Sequence, residues 1–175
     1  MAAKTKKTQQ NKKQRRSKEM GKYFHKKTER DGIIFDSQTE AEYYDELIRL
    51  KNEGIIRKFT MQDEFIIQEK FLLINGERIN SSVKGFSKLQ KANPGCTVQA
   101  IKYRADFMVH YKDDSVRVID VKGQKTADFK IKEKMFNYMY PQYNGLYCVV
   151  KYNGGWMEYN EAQKLKRERK KKKSK

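Results

Sequence analysis

From Ile101 to Tyr111 two sets of residues alternate without a break: Ile101, Tyr103, Ala105, Phe107, Val109 and Tyr111 against Lys102, Arg104, Asp106, Met108 and His110. A period of two predicts a β-strand. Lys112-Asp113-Asp114 supplies a turn into a second strand, Ser115 to Lys122, which Gly123 ends. This second strand is apolar except near its end, where Asp120 and Lys122, two residues apart, leave the same face. A surface ion pair worth less than about 1 kcal/mol would account for them. Charges in an apolar strand of the kind found mid-sheet otherwise need a reason. Asp106 on the preceding strand supplies one, provided the register is right. A two-residue loop pairs positions summing to 227 and sends Asp106 and Asp120 to opposite faces. A three-residue loop or one bulge pairs positions summing to 226 and sets them directly across from one another. Two carboxylates so placed repel unless a cation lies between them, and Mg²⁺ with its oxygen ligands fits.

Around this pair the remaining elements follow from local signals. Asp31-Gly32 before Ile33-Ile34-Phe35 reads as a turn and a short strand, with the folded part beginning at Lys22, Tyr23 and Phe24. Ser37-Gln38-Thr39-Glu40 is a capping box opening a helix to about Asn52, with Ala41, Tyr44, Leu47 and Ile48 on one face and Gly54 as the stop. Glu40 serves the cap but points along the helix's buried edge, which makes it a candidate third acid, with Glu42 as the fallback. Residues 59–74 read as one long strand or two short ones, closed by an Asn75-Gly76 turn. Residues 76–97 read as a loop or small insertion, with a surface helix around Phe86–Ala92. Thr126 to about Tyr140 is a helix stopped by Pro141, burying Phe129, Met135, Phe136 and Met139. Gly145 to Tyr152 is the final strand, and residues 160–175 read as a basic helix that frays. The expected fold is α/β (α+β), a central mixed sheet of about four to five strands flanked by helices, in the order helix-strand-strand-strand-helix-strand.

Charge is distributed unevenly. Residues 1–30 carry 12 Lys+Arg against 2 acids and residues 161–175 carry 9 against 2, so a chain of formal net charge +18 keeps only +1 between them. The expected organisation is a basic flexible arm over 1–21, a domain over 22–160 and a basic tail over 161–175. Such arms suit a polyanion, since neutralising phosphates releases counterions; solvated tails that only aid solubility are the plain alternative. Cys96 and Cys148 lie far apart, without a CxxC or Cys/His spacing, so zinc is not expected and both read as reduced thiols. No segment approaches the ~20 apolar residues of a membrane span, and the basic N-terminus lacks the apolar core of a secretory signal. A cytoplasmic protein is expected. His25 and His110 have no partner at triad or metal spacing.

The ordered series of an acid on a first helix, Asp106 on one strand and Asp120-Val121-Lys122 on the next resembles the PD-(D/E)XK nuclease superfamily. It is similar above all to the small bacteriophage and prophage nucleases related to Holliday-junction resolvases. That branch is matched by Lys22-Tyr23, by Asp31-Gly32-Ile33-Ile34-Phe35-Asp36-Ser37, by Glu40-Ala41 with Tyr43-Tyr44, and by Gln62 with Phe65. It is matched again by Tyr103 with Ala105-Asp106-Phe107, by Asp120-Val121-Lys122-Gly123 with Thr126, and by Lys130, Lys134 and Phe136. Together these cover roughly residues 22–151. Ala105 departs from the proline of the superfamily's name, and the 76–97 segment is longer than a compact version. The resemblance implies a restriction-endonuclease-like core and a Mg²⁺-dependent endodeoxyribonuclease, with Mn²⁺ as a substitute. It implies metal ligation by Asp106, Asp120, the main-chain carbonyl of Val121 and Glu40, with Lys122 acting on the attacking water or the phosphate. It also implies branched DNA as substrate, a role in phage DNA recombination or processing, and a homodimer.

Gln124, Lys125, Thr126, Lys130 and Lys134 are candidate DNA contacts, the last two at i and i+4 on one helix face, which is otherwise simply a solvated one. Two other functions stay open: a non-catalytic basic nucleic-acid-binding protein, which the tails alone suggest, and a restriction or nicking nuclease of the same fold. The carboxylates separate the first of these from a nuclease, because a pure binder has no reason to aim acids at phosphates. No small-molecule cofactor is expected.

Overall fold

The computed structural model describes residues 27–173 in two compact units, divided between Asp45 and Glu46. The expected arm over 1–21, the start at Lys22 to Phe24, His25 and the last two residues lie outside the described residues. No helix among the described residues is long and apolar enough to cross a membrane.

The first unit is a hairpin leading into a helix. Strands β1 (Thr28–Arg30) and β2 (Ile33–Phe35) pair antiparallel across Asp31-Gly32. Both turn residues have positive φ, 50° and 74°, the conformation a two-residue hairpin loop needs. Helix α1 (Gln38–Asn52) opens on the predicted capping box: the Glu40 N–H donates to Ser37 Oγ at 3.1 Å, and the Ser37 hydroxyl donates to Glu40 Oε1 at 2.9 Å. The Tyr44 hydroxyl donates to Asp31 Oδ2 at 3.0 Å and its ring packs on Phe35, which ties the helix back to the hairpin turn.

The second unit is α+β. Its main sheet has five strands in the order β12-β11-β10-β9-β3, where β3 is Ile56–Met61, β9 Phe107–Tyr111, β10 Val116–Val121, β11 Leu146–Tyr152 and β12 Gly155–Glu158. Only β10 and β11 run parallel, joined by helix α3 (Ala127–Met139), so the sheet is mixed as expected. Thr126 caps α3 by accepting the Phe129 N–H at 3.2 Å, and Pro141 ends it in a 3₁₀ turn, Pro141–Tyr143. Phe129 and Phe136 are buried, about two helical turns apart; Met139, predicted to join them, is exposed. The C-terminal helix α4 (Tyr159–Lys173) packs on β11 and β12 near its start, burying Ala162, and is charged beyond that point.

Three sequence expectations need correction. Residues 59–74 form neither one strand nor two but parts of three: β3, β4 (Glu64–Gln68) and β5 (Phe71–Ile74). Residues 76–97 are not mainly loop. After the Asn75-Gly76 turn, β6 (Glu77–Asn80) and β7 (Thr97–Val98) flank β5 in a three-stranded sheet, with α2 (Phe86–Ala92) between them. The strand 145–152 is not the last, because β12 follows it across Asn153-Gly154.

A fourth correction matters most for function. The alternation of 101–111 belongs to two strands, β8 (Ile101–Arg104) and β9, with a break at Ala105-Asp106. Opposite, β3 and β4 break at Gln62-Asp63, where Gln62 has φ 58°. Pairing runs in one register on both sides of the break, Met61 with Phe107 and Glu64 with Arg104, and is held through it by Gln62 N–H to Asp106 O (3.1 Å) and Ala105 N–H to Asp63 O (3.0 Å). The ladder therefore bends without slipping. Tyr103 and Ala105 on one side of the bend, and Val118 with Met108 on the other, join one core with Phe65, Phe129, Phe136 and Cys148. Strict alternation would have put Met108 and Tyr103 on opposite faces.

Candidate functional site

The hairpin that carries the candidate residues has the required loop. Tyr111 N–H donates to Ser115 O at 2.9 Å, leaving Lys112-Asp113-Asp114 as a three-residue connection with Asp114 at φ 62°. Such a loop commonly ends on a left-handed residue. Strand pairs follow at Val116–His110, Arg117–Val109, Val118–Met108 and Ile119–Phe107. All sum to 226, and the next step sets Asp120 across from Asp106.

Asp120 is almost wholly buried. Its Oδ1 accepts a 2.7 Å hydrogen bond from the Tyr103 hydroxyl, delivered by the bent ladder. Its Oδ2 has Lys122 Nζ at 2.8 Å but no hydrogen bond, so the two meet as an ion pair without hydrogen-bond alignment. Burial, and after it the Asp120 charge, pushes the Tyr103 hydroxyl far above the ordinary phenol range, so it stays protonated and donates. Asp106 Oδ2 accepts the Val121 N–H at 2.7 Å, which fixes its carboxylate to the end of β10. Lys122 donates its own N–H to Val149 O (2.9 Å), and its ammonium lies 5.3 Å from the centre of the Phe129 ring. Asp120 and Lys122 are thus ion-paired, and Asp106 is held to the backbone of the residue between them.

The other candidates fall elsewhere. Glu40 belongs to the first unit, in its capping box, with Glu42 two residues on accepting from Gln38. Among the described residues no group of three or more His, Cys, Asp and Glu side chains is gathered closely enough to hold a metal. Gln124, Lys130 and Lys134 are exposed, and the Thr126 hydroxyl accepts the cap hydrogen bond of α3. Lys125 is a correction: it was expected at a DNA surface, but its side chain is only 6% exposed. Its Nζ lies 2.6 Å from Glu133 Oε1 and beside the rings of Phe129 and Tyr159. Burial pulls its pKa down, but the Glu133 hydrogen bond and the neighbouring Cys148 and Glu133 charges outweigh that, and the net shift is upward. Cys148, paired in register with Asp120, directs its thiol to Glu133 Oε1 at 3.7 Å, and burial pushes it up to about 12. It is a packing residue, as is the partly buried His110, whose pKa burial and then Lys58 and Arg57 lower.

Sequence reasoning passed over Tyr103 as a site residue and Glu133 as Lys125's partner. Glu133 had a signal: it lies between Phe129 and Phe136 at helical spacing, on the stripe α3 buries.

Residues 20–154 match the family model described as protein of unknown function (DUF1064). The chain belongs to the DUF1064 family. The DUF1064 match takes in both units, the bent ladder and every one of the candidate residues from Glu40 to Lys134. No curated protein and no solved structure matches the chain.

Proposed function

We propose that this chain is a divalent-metal-dependent DNA endonuclease hydrolysing phosphodiester bonds, with Mg²⁺ as the working ion and Mn²⁺ as its substitute. The observation that carries the reading is that Asp106 is bonded to the Val121 N–H, between Asp120 and the Lys122 ion-paired with it. The donors suit such an ion: carboxylate oxygens are hard ligands, and the buried Asp120 Oδ2 has no hydrogen bond to satisfy it. Asp106, Asp120 and the Val121 carbonyl would hold it.

A bound ion supplies an acidified water and neutralises phosphate charge. The chain's own residues do the rest. Asp120 is fixed by Tyr103 and Asp106 by the Val121 N–H, so neither carboxylate reorganises as charge builds up. Lys122, whose side chain is 30% exposed, can turn from Asp120 to the scissile phosphate, orienting the attacking water or countering the developing negative charge. Lys130, Lys134 and the lysines and arginines of α4 draw in the DNA backbone. Branched DNA as substrate, a homodimer and a place beside DNA in the cytoplasm follow from the resolvase resemblance.

A second reading, a non-catalytic nucleic-acid binder, is favoured by α4 alone, whose last turn is Lys170 to Lys173. One experiment separates them: labelled four-way junction, duplex and single strand are incubated with Mg²⁺ or EDTA, beside Asp120→Ala and Glu40→Gln. Cutting that needs Mg²⁺ and disappears in Asp120→Ala is the expected result. Binding without cutting selects the second reading, and cutting that survives EDTA or Asp120→Ala overturns the first.

A further inference from the structure

We propose that Tyr103 is a positioning residue for Asp120: its hydroxyl fixes Oδ1 so that Oδ2 alone is offered to a cation. This rests on the metal-site reading above. A buried carboxylate without partners can turn about its last side-chain bond and present either oxygen. Here the plane is set from both ends, by the 2.7 Å hydrogen bond to Oδ1 and by the Lys122 ammonium 2.8 Å from Oδ2. The hydroxyl is itself immobile, since the Tyr103 ring packs in the core against Phe136 and Phe129, at 5.7 and 6.4 Å between centroids. It reaches Asp120 only because the ladder bends at Ala105-Asp106 and Gln62-Asp63. The same bend places Asp106, three residues on, beside the N–H of Val121. One backbone feature therefore delivers a candidate ligand and the group that orients its neighbour. Asp120 is assigned as a one-oxygen ligand.

The test is Mn²⁺ binding followed by electron paramagnetic resonance, with folding checked by circular dichroism well below each melting temperature. Four proteins are compared: wild type, Tyr103→Phe, Asp120→Asn, and Leu72→Ala, a fully buried position in the three-stranded sheet outside the Tyr103 core. Losing an outer hydrogen bond to a ligand weakens metal binding, so Tyr103→Phe should raise the Mn²⁺ dissociation constant about ten- to a hundredfold. Leu72→Ala should melt earlier and bind Mn²⁺ as wild type does. Unchanged binding in Tyr103→Phe, with binding abolished in Asp120→Asn, overturns this inference and leaves the metal site standing. Equal weakening in Leu72→Ala also overturns it, by assigning the effect to a loosened core. Absence of Mn²⁺ binding in wild type sinks both. Should Tyr103→Phe fail to fold, wild type labelled at tyrosine Cζ replaces it. The Tyr103 resonance must then move with Mg²⁺ titration, and a stationary one overturns the proposal.

Discussion

Lys122 and Lys125 lie against the same Phe129 ring, at 5.3 and 5.9 Å, yet belong to ion pairs of opposite design. In the first, the buried partner is the acid: the Asp120 side chain is 2% exposed and the lysine 30%. In the second the lysine is buried, at 6%, and Glu133 is the more exposed partner at 20%. Lys122 opens toward water, and in the reading proposed above its departure leaves Asp120 Oδ2 to a cation. Lys125 has no such exit. It bridges the loop after β10 to α3, and its N–H donates to the Tyr159 hydroxyl (3.3 Å) at the start of α4. Exchange is built into one pair and permanence into the other, although the residues are three apart in sequence.

The contrast is broken most directly at Asp120. Asp120→Asn keeps an oxygen to accept from Tyr103, so melting should move little, while cleavage of a junction falls by at least about 1,000-fold, or about 4 kcal/mol of barrier. A large melting shift with retained cleavage would make Asp120 structural, like Glu133. Lys122→Ala should lower cleavage by roughly a hundredfold or more with Mn²⁺ binding preserved, because the proposed mechanism sets the ammonium on the phosphate side; lost Mn²⁺ binding would contradict that. Lys125→Met should do the reverse, costing about 3 kcal/mol of stability by stranding Glu133, with cleavage per folded molecule unchanged. The pair also sets a sign for pH. The Lys125 pKa is raised from the ordinary lysine value of 10.5, so its contribution is complete below that value and lost as pH rises through the folded one. Thermal melts above pH about 10.5 should therefore fall more steeply in wild type than in Lys125→Met; parallel curves would dismiss the pair as a stabilising element.

How far these features could be read from residues alone depends on how local their causes are. The caps at Ser37 and Thr126 and the hairpin turns at Asp31-Gly32 and Asn75-Gly76 are fixed by neighbours in sequence, and all four stand where expected. The 226 register was legible too, because the demand that Asp106 face Asp120 admitted few loops and Lys112-Asp113-Asp114 meets it. The bend was not. Apolar residues alternate straight through Ala105-Asp106, and the break is made jointly with Gln62-Asp63, about forty residues away in the chain. Nor was the burial of Lys125 visible, because Gly123-Gln124-Lys125-Thr126 reads as polar loop until Glu133 and Tyr159 close over it. Strands β6 and β7 were hidden by their length and polarity, since their side chains carry no clear period of two.

The smallest effect belongs to the exposed lysines of α3, which share a helix with Glu133 but face water. Lys130 and Lys134 stand one turn apart beside Ile131 and Tyr138, the latter 84% exposed, and nothing buries them. A lysine that contacts one phosphate contributes about one released counterion, so each alanine substitution should reduce the slope of log affinity against log salt by about 0.9 on duplex DNA. Melting temperature and Mn²⁺ affinity should stay at wild-type values, because neither ammonium touches Asp120, Glu133 or the core. The measurement is a salt series of DNA-binding isotherms for Lys130→Ala, Lys134→Ala and the double variant. An unchanged slope would return both residues to the solvated face they otherwise resemble. A reduced slope that adds in the double variant would make α3 a helix of two functions, holding a permanent ion pair on its inner side and a phosphate track on its outer one.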